Sequence, residues 1–216
     1  MKAATTTISV LIVDDHPIVR DGYRRLLSGV PDIGDIREAA DGEAALASYL
    51  QARPDVVIMD LTMPGMGGME AIRQLLEIDA AARILVFSMH DSDALIDRCI
   101  EQGVQGYLIK SSGQDQLLDA VRQIAAGRPY IDSSQAMRRA VRRRDAIGEP
   151  TANLTSREFQ IFQMLAEGLS VQQTAHALGI SPSTVGVHRN NLLKKTGLAN
   201  DNQLVRLAIR LKIIEA

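Results

Sequence analysis

Short apolar runs alternate with helix-length segments along the first 127 residues. β-Branched and aliphatic residues gather over Ser9–Val13, Asp55–Met59, Ile84–Phe87 and Tyr107–Ile109, with a weaker run near Asp35–Ala39. Between and after them, Pro17–Leu27, Gly42–Leu50, Met69–Ile78, Ala94–Gln102 and Gln114–Ala126 have the length and mixed polarity of helices. In the last of these, Leu117, Leu118, Val121 and Ile124 recur at three- and four-residue spacing, which marks one buried helical face. Five strands each followed by a helix predict a parallel sheet covered on both sides. In such a sheet the polar residues just beyond the carboxyl ends of the strands form the functional crevice.

From Leu154 the pattern changes to helices alone, each with its own capping signal. Thr155-Ser-Arg-Glu158 and Ser170-Val-Gln-Gln173 read as capping boxes, Ser181-Pro182 as an N-cap followed by a first-turn proline, and Asn200-Asp-Asn-Gln203 as a fourth start. Gly168, Gly179 and Gly197 stand where the first three helices stop. Two short helices joined by a tight glycine-containing turn make a helix-turn-helix, whose second helix would span Pro182–Thr196. On that helix Val185, Leu192 and Leu193 are expected to face the core. Thr184, Gly186, Val187, Arg189, Asn190, Lys194 and Lys195 are left as candidate DNA contacts. Residues 128–150 lose periodicity and gather Arg138, Arg139, Arg142, Arg143 and Arg144, as a solvated linker would. The expected division is therefore 1–127, a linker over 128–150, and 151–216.

Charge sharpens this division. Residues 1–127 hold 11 Lys and Arg against 19 Asp and Glu, a net of -8, whereas 151–216 hold 7 against 4, a net of +3. An acidic front half repels polyanions and a basic rear half attracts them, so nucleic-acid contact is expected from the C-terminal part. The composition, 46% hydrophobic and 23% charged, is that of an ordinary globular chain. No apolar run is long enough for a bilayer, and the first residues lack a signal-peptide core. Cys99 is the only cysteine, which excludes an intrachain disulfide and fits a reducing, cytoplasmic setting. The four histidines show no zinc-like spacing.

The strand ends carry the chemistry. Asp14 and Asp15 close the first strand, Asp60 the third, Ser88 the fourth and Lys110 the fifth. Three carboxylates brought together repel unless a cation neutralises them, and a hard divalent ion such as magnesium suits an all-oxygen donor set. Asp60 could then act as a nucleophile towards a phosphoryl donor, with Lys110 and Ser88 stabilising the transferred charge. A phosphatase that uses Asp60 would need a second aspartate two residues on, where Thr62 stands, and no nucleotide-binding glycine loop occurs. A regulator that works without phosphorylation is the other alternative.

Val10-Leu-Ile-Val-Asp-Asp-His-Pro17, Val57-Ile-Met-Asp-Leu-Thr-Met-Pro-Gly65 and Gly106-Tyr-Leu-Ile-Lys110 resemble the receiver domains of response regulators over residues 8–127. Leu154-Thr-Ser-Arg-Glu158, Leu178-Gly-Ile-Ser-Pro182 and Ser183-Thr-Val-Gly-Val-His188 are similar to the LuxR-type DNA-binding domain over 154–214. Together they resemble the NarL/FixJ family of transcription regulators. The resemblance implies a flavodoxin-like sheet of order 2-1-3-4-5 and a four-helix DNA-binding domain. It makes Asp60 the phosphoacceptor and Asp14, Asp15, Asp60 and the Thr62 carbonyl the magnesium site. Ser88 and Tyr107 become the switch, with Lys110 the cationic partner of the phosphoryl group. A sensor histidine kinase, double-stranded DNA and a second copy of the chain are the implied partners, the copy docking near Leu204, Leu207 and Leu211. No enzymatic turnover beyond self-phosphorylation and dephosphorylation is implied. The chain departs from the family pattern at Ser111, where many receivers have proline, and at Gly67, where an acidic residue is common. It departs again at Gly186, commonly lysine, and at Thr174, commonly isoleucine.

Overall fold

The computed structural model of the chain describes residues 7–132 and 150–214. The expected arginine-rich linker, Arg138 to Arg144, lies outside the described residues. Contacts form two compact units: residues up to Met89 with Cys99–Asp132, and His90–Arg98 with the C-terminal helices.

The first unit is built on parallel strands β1 (Ile8–Val13), β2 (Ile33–Ala39), β3 (Val56–Met59), β4 (Ile84–Ser88), β5 (Gly106–Ile109) and β6 (Tyr130–Ile131), ordered β2-β1-β3-β4-β5-β6. The helices in this part of the chain are α1 (Pro17–Ser28), α2 (Gly42–Ala52), α3 (Gly68–Ile78), α4 (Asp93–Glu101) and α5 (Gln114–Ala125). The five expected strands and their order are present, and β6 extends the sheet by pairing Tyr130 with Gly106 and Ile131 with Tyr107. Two residues beside Pro129 are too short to show a period, so β6 left no pattern in the sequence. It also carries this unit on to Asp132, five residues beyond the expected boundary at 127.

Every residue of β3 and β4 is buried, as a central parallel strand covered on both faces requires. Val10 and Ile12, Val56 and Ile58, Leu85 and Phe87, and Leu108 pack with Leu27 of α1 and with Leu117, Ala120, Val121 and Ile124 of α5. The alternate residues Leu11, Val13, Val57, Met59, Val86 and Tyr107 point to the opposite face by the two-residue period and are equally buried. Both faces are thereby sealed, and the strand ends are held in register where their polar residues emerge.

The C-terminal helices are α6 (Ser156–Ala166), α7 (Val171–Ala177), α8 (Pro182–Thr196) and α9 (Asp201–Arg210). All four starts carry the expected cap. Thr155 and Ser170 form reciprocal boxes with Glu158 and Gln173, Ser181 accepts from the Thr184 amide, and Asn200 accepts from the Gln203 amide. Phe159, Phe162, Val185, Leu192, Leu204 and Leu207 form the core between them. Thr174 of α7 is fully buried and its hydroxyl finds no hydrogen-bond partner among the described residues. A buried hydroxyl without a partner costs roughly 1 to 3 kcal/mol, and valine has nearly the same shape without it. Thr174→Val is expected to raise unfolding stability by about 1 kcal/mol or more in urea titrations followed by circular dichroism; a loss of stability would contradict the assignment of an unsatisfied group.

Candidate functional site

The sheet ladder continues one residue past each strand and sets the site. The Asp14 amide donates to the Ala39 carbonyl, the Asp60 amide to Val13 and the Lys110 amide to Ser88, at 3.2, 2.9 and 2.8 Å. Asp14, Asp60 and Ser88 are buried at the crevice, and the Lys110 side chain is only 9% exposed. Its ammonium bridges two carboxylates, at 2.5 Å from Asp14 Oδ2 and 2.6 Å from Asp60 Oδ2. The other oxygens of these two groups are held by backbone. The His16 amide donates to Asp14 Oδ1 at 2.8 Å, and the Thr62 amide to Asp60 Oδ1 at 3.2 Å.

These environments set the protonation balance. Burial pushes the Asp60 carboxyl above its ordinary range, and Lys110 only partly offsets it. Lys110 is itself held above the usual ammonium value: burial alone would lower it, but the Asp60 and Asp14 carboxylates outweigh that penalty. Asp15 Oδ1 is buried and receives no hydrogen bond from the described residues. His16 Nδ1 stands 2.9 Å away without hydrogen-bond alignment. Asp14, Asp15 and His16 place donor atoms within 4.8 Å of one another. An orphaned carboxylate oxygen beside a second carboxylate is what a hard cation would occupy.

Asp14, Asp15, Asp60, Thr62, Ser88 and Lys110 all lie at this edge, whereas Tyr107 sits three residues before Lys110, paired with Val86. Thr62 sits exposed on the loop after β3, while Ser88 ends β4 and Tyr107 lies fully buried on β5. The sequence reading missed Gly68. A Cβ placed there would lie 1.9 Å from the Asp60 carbonyl oxygen and 2.7 Å from Leu61 Cα, so the first turn of α3 rests directly on the backbone of the Asp60 loop. Gly65 and Gly67 adopt positive φ in the intervening turn. The Gly-Met-Gly-Gly run was the available signal.

On α8 the expected contacts divide. Val185 and Leu192 are buried, and Thr184, Val187, Asn190 and Lys194 are exposed. Gly186 is half-buried, and a Cβ there would meet nothing within 4 Å. Arg189 does not face fully outward. It falls four residues after Val185 and three before Leu192, on the inward stripe. There its Nε and one terminal nitrogen both lie 2.8 Å from Asp201 Oδ1 of α9. Lys195 is likewise engaged, its ammonium 2.6 Å from the Glu158 carboxylate of α6. Burial opposes ionisation of Glu158, but Lys195 and the Thr155 amide overcome it and hold the carboxyl below its ordinary range. The dimer surface expected on the last helix is also corrected: Leu204 and Leu207 are buried in the domain's own core and only Leu211 is half-exposed. The outward residues of α9 are instead Asp201, Asn202, Gln203, Arg206, Ile209 and Arg210.

Comparison with known proteins agrees with this architecture. Residues 10–122 match the response regulator receiver domain, and residues 152–208 match the bacterial regulatory proteins of the luxR family. The transcriptional regulatory protein UhpA of Salmonella typhimurium is 39% identical over 197 residues, covering 91% of this chain and 95% of that protein. The response regulator GacA of Pseudomonas aeruginosa is 34% identical over 211 residues, 97% of this chain and 99% of its own length. A two-component response regulator of the LuxR family from an Aurantimonas species has a solved structure with 44% identity. It covers 63% of this chain and 98% of that one at a TM-score of 0.61. RcsB of Salmonella enterica, solved bound to the promoter rprA, shares the fold at 24% identity and a TM-score of 0.67, over 93% of this chain and 98% of that one. Joined in one chain, these two domains make a regulator of transcription in a two-component system, and the protein belongs to the NarL/FixJ family of response regulators.

Proposed function

We propose that Asp60 accepts a phosphoryl group from a sensor histidine kinase and that this controls the binding of α8 to double-stranded DNA. The observation that carries the reading is the Lys110 ammonium held between Asp14 and Asp60, which puts a cation beside the nucleophile. In the transfer, an Asp60 oxygen forms the new O–P bond as the P–N bond of the donor histidine breaks. Lys110 then exchanges part of its contact with the carboxylates for a phosphoryl oxygen. The Ser88 hydroxyl bonds to another oxygen, and the β4 end with Tyr107 of β5 supplies the two-state element.

Asp15 and Asp60, with the Thr62 carbonyl, would hold a magnesium ion directly, and Asp14 would hold it through water. The unbonded buried oxygen of Asp15 supports this assignment. Bound there, magnesium neutralises charge on the group in transfer. The chain's chemistry is then limited to gaining and losing its own phosphoryl group. Its family and the lack, among the described residues, of a helix long and apolar enough to cross a membrane agree with action in the cytoplasm. Activation would produce a homodimer on DNA, in which the outward residues of α9, Arg206, Ile209 and Arg210, take the place of the buried leucines.

Intact-mass spectrometry after incubation with acetyl phosphate and magnesium tests the phosphoacceptor. The wild type is expected to gain one phosphoryl group and Asp60→Asn none. Equal labelling of the two proteins would overturn the assignment.

A further inference from the structure

On the reading that α8 binds duplex DNA, we propose that its outward face selects adenine–thymine pairs, with Asn190 and Val187 reading bases and Lys194 on a phosphate. Val185 and Leu192 define the buried side of the helix. Opposite them, Ser183, Val187, Asn190, Asn191 and Lys194 are exposed, Val187 to 59%. Among the described residues the Asn190 side-chain amide makes no hydrogen bond, and it offers a donor group and an acceptor. That pair matches the N7 acceptor and N6 donor of adenine in the major groove. The Val187 methyls match the thymine 5-methyl group. Guanine shows two acceptors at that edge and is best met by two donors from arginine or lysine.

The one arginine of α8 is withheld from that task. Arg189 lies on the inward stripe, and two of its nitrogens converge on a single oxygen of Asp201. Asp201 begins α9, where a negative charge is favoured at the helix N-terminus and faces the guanidinium. Glu158 holds Lys195 in the same way. Among the described residues Lys194 has no ion pair, but it lies in the last turn of α8, away from the N-terminal part that enters the groove most deeply. Position 186 adds room. Side chains of a helix tilt towards its N-terminus, so Asn190 leans over residue 186, where glycine leaves the space open.

The test uses the full chain treated with acetyl phosphate and magnesium, first selecting duplexes from a random library and then titrating the selected duplex by fluorescence anisotropy. The selected half-sites should centre on adenine–thymine pairs. Replacing one adenine by 7-deazaadenine should weaken the wild type about tenfold and leave Asn190→Ala unchanged, and uracil for thymine should weaken the wild type but not Val187→Ala. Asp201→Ala should free Arg189 and steepen the dependence of log affinity on log salt by about one. A guanine–cytosine core insensitive to both base analogues overturns the inference while DNA binding itself stands. An unchanged salt slope in Asp201→Ala overturns the withholding of Arg189. Failure of the folded wild type to bind any duplex overturns both this inference and the DNA-binding reading beneath it.

Discussion

Lys110→Met is expected to lose stability and phosphorylation together, and to recover only the first when magnesium is added. The lysine joins two carboxylates whose side chains are 4% and 5% exposed. Removing one partner of a buried pair leaves uncompensated charge and costs about 3 to 5 kcal/mol, more than the pair itself contributes. Here part of that cost is relieved by proton uptake, because Asp60 already holds its proton more tightly than an ordinary aspartate. The sign follows. A carboxyl raised above its unfolded value destabilises the fold at pH above its folded value, and that penalty vanishes below the unfolded value. Losing Lys110 raises Asp60 further, so the variant should be weakest at alkaline pH and approach the wild type as pH falls through the raised value towards the ordinary aspartate range. Magnesium bound as proposed would supply the missing charge and should restore stability at pH 8 without restoring the ammonium proposed to meet the phosphoryl group. Loss of one such preorganised donor is worth about a hundredfold or more in rate. Urea unfolding at pH 8 and pH 5.5, with and without magnesium, and the rate of labelling by acetyl phosphate read both parts. A variant as stable as the wild type at pH 8 without magnesium would remove the pair from the stability of the fold.

Where the sequence was legible, a local rule and the tertiary fold agreed. β3 and β4 are short apolar runs because both faces are covered, and the four C-terminal helix starts are legible because each cap is a local hydrogen bond. The five strand-end residues were legible for the same reason: a strand's end is marked in sequence, and the sheet then brings the ends together. The misreadings arose where a pattern does not say what covers it. Leu204 and Leu207 form an apolar stripe on α9, but a stripe facing α6 and one facing a second copy have the same spacing. Arg189 stands among the candidate DNA contacts, although its spacing from Val185 and Leu192 puts it beside the inward stripe. Asp201 makes that position tolerable by pairing with it. Lys195 lies farther round the helix, and only the fold reveals that Glu158, read as a capping residue, also reaches it.

Gly68→Ala is expected to be the most damaging single methyl in the receiver. Its Cβ would stand 1.9 Å from the Asp60 carbonyl oxygen and 2.8 Å from the Asp60 carbonyl carbon, distances that no rotamer change can relieve because both atoms are backbone. The Gly68 amide also donates to the Leu61 carbonyl at 3.2 Å, so α3 cannot back away without breaking that bond. Overpacking commonly costs about 1 to 3 kcal/mol, and a clash with fixed backbone belongs at or above the top of that range. The strain is relieved only if the stretch from Asp60 to Thr62 moves, and that stretch carries the proposed nucleophile and the Thr62 carbonyl. Labelling by acetyl phosphate should therefore fall at least tenfold even under conditions where the variant is still folded. Gly22→Ala is the matched control. Gly22 lies inside α1 with nothing within 4 Å of its added Cβ, so the same methyl should stabilise the helix by up to about 1 kcal/mol and leave labelling intact. Urea unfolding of both variants, with labelling rates measured on the folded fraction, gives two outcomes of opposite sign from one chemical change. Wild-type stability and labelling in Gly68→Ala would mean that the Asp60 loop does not rest on α3 as described.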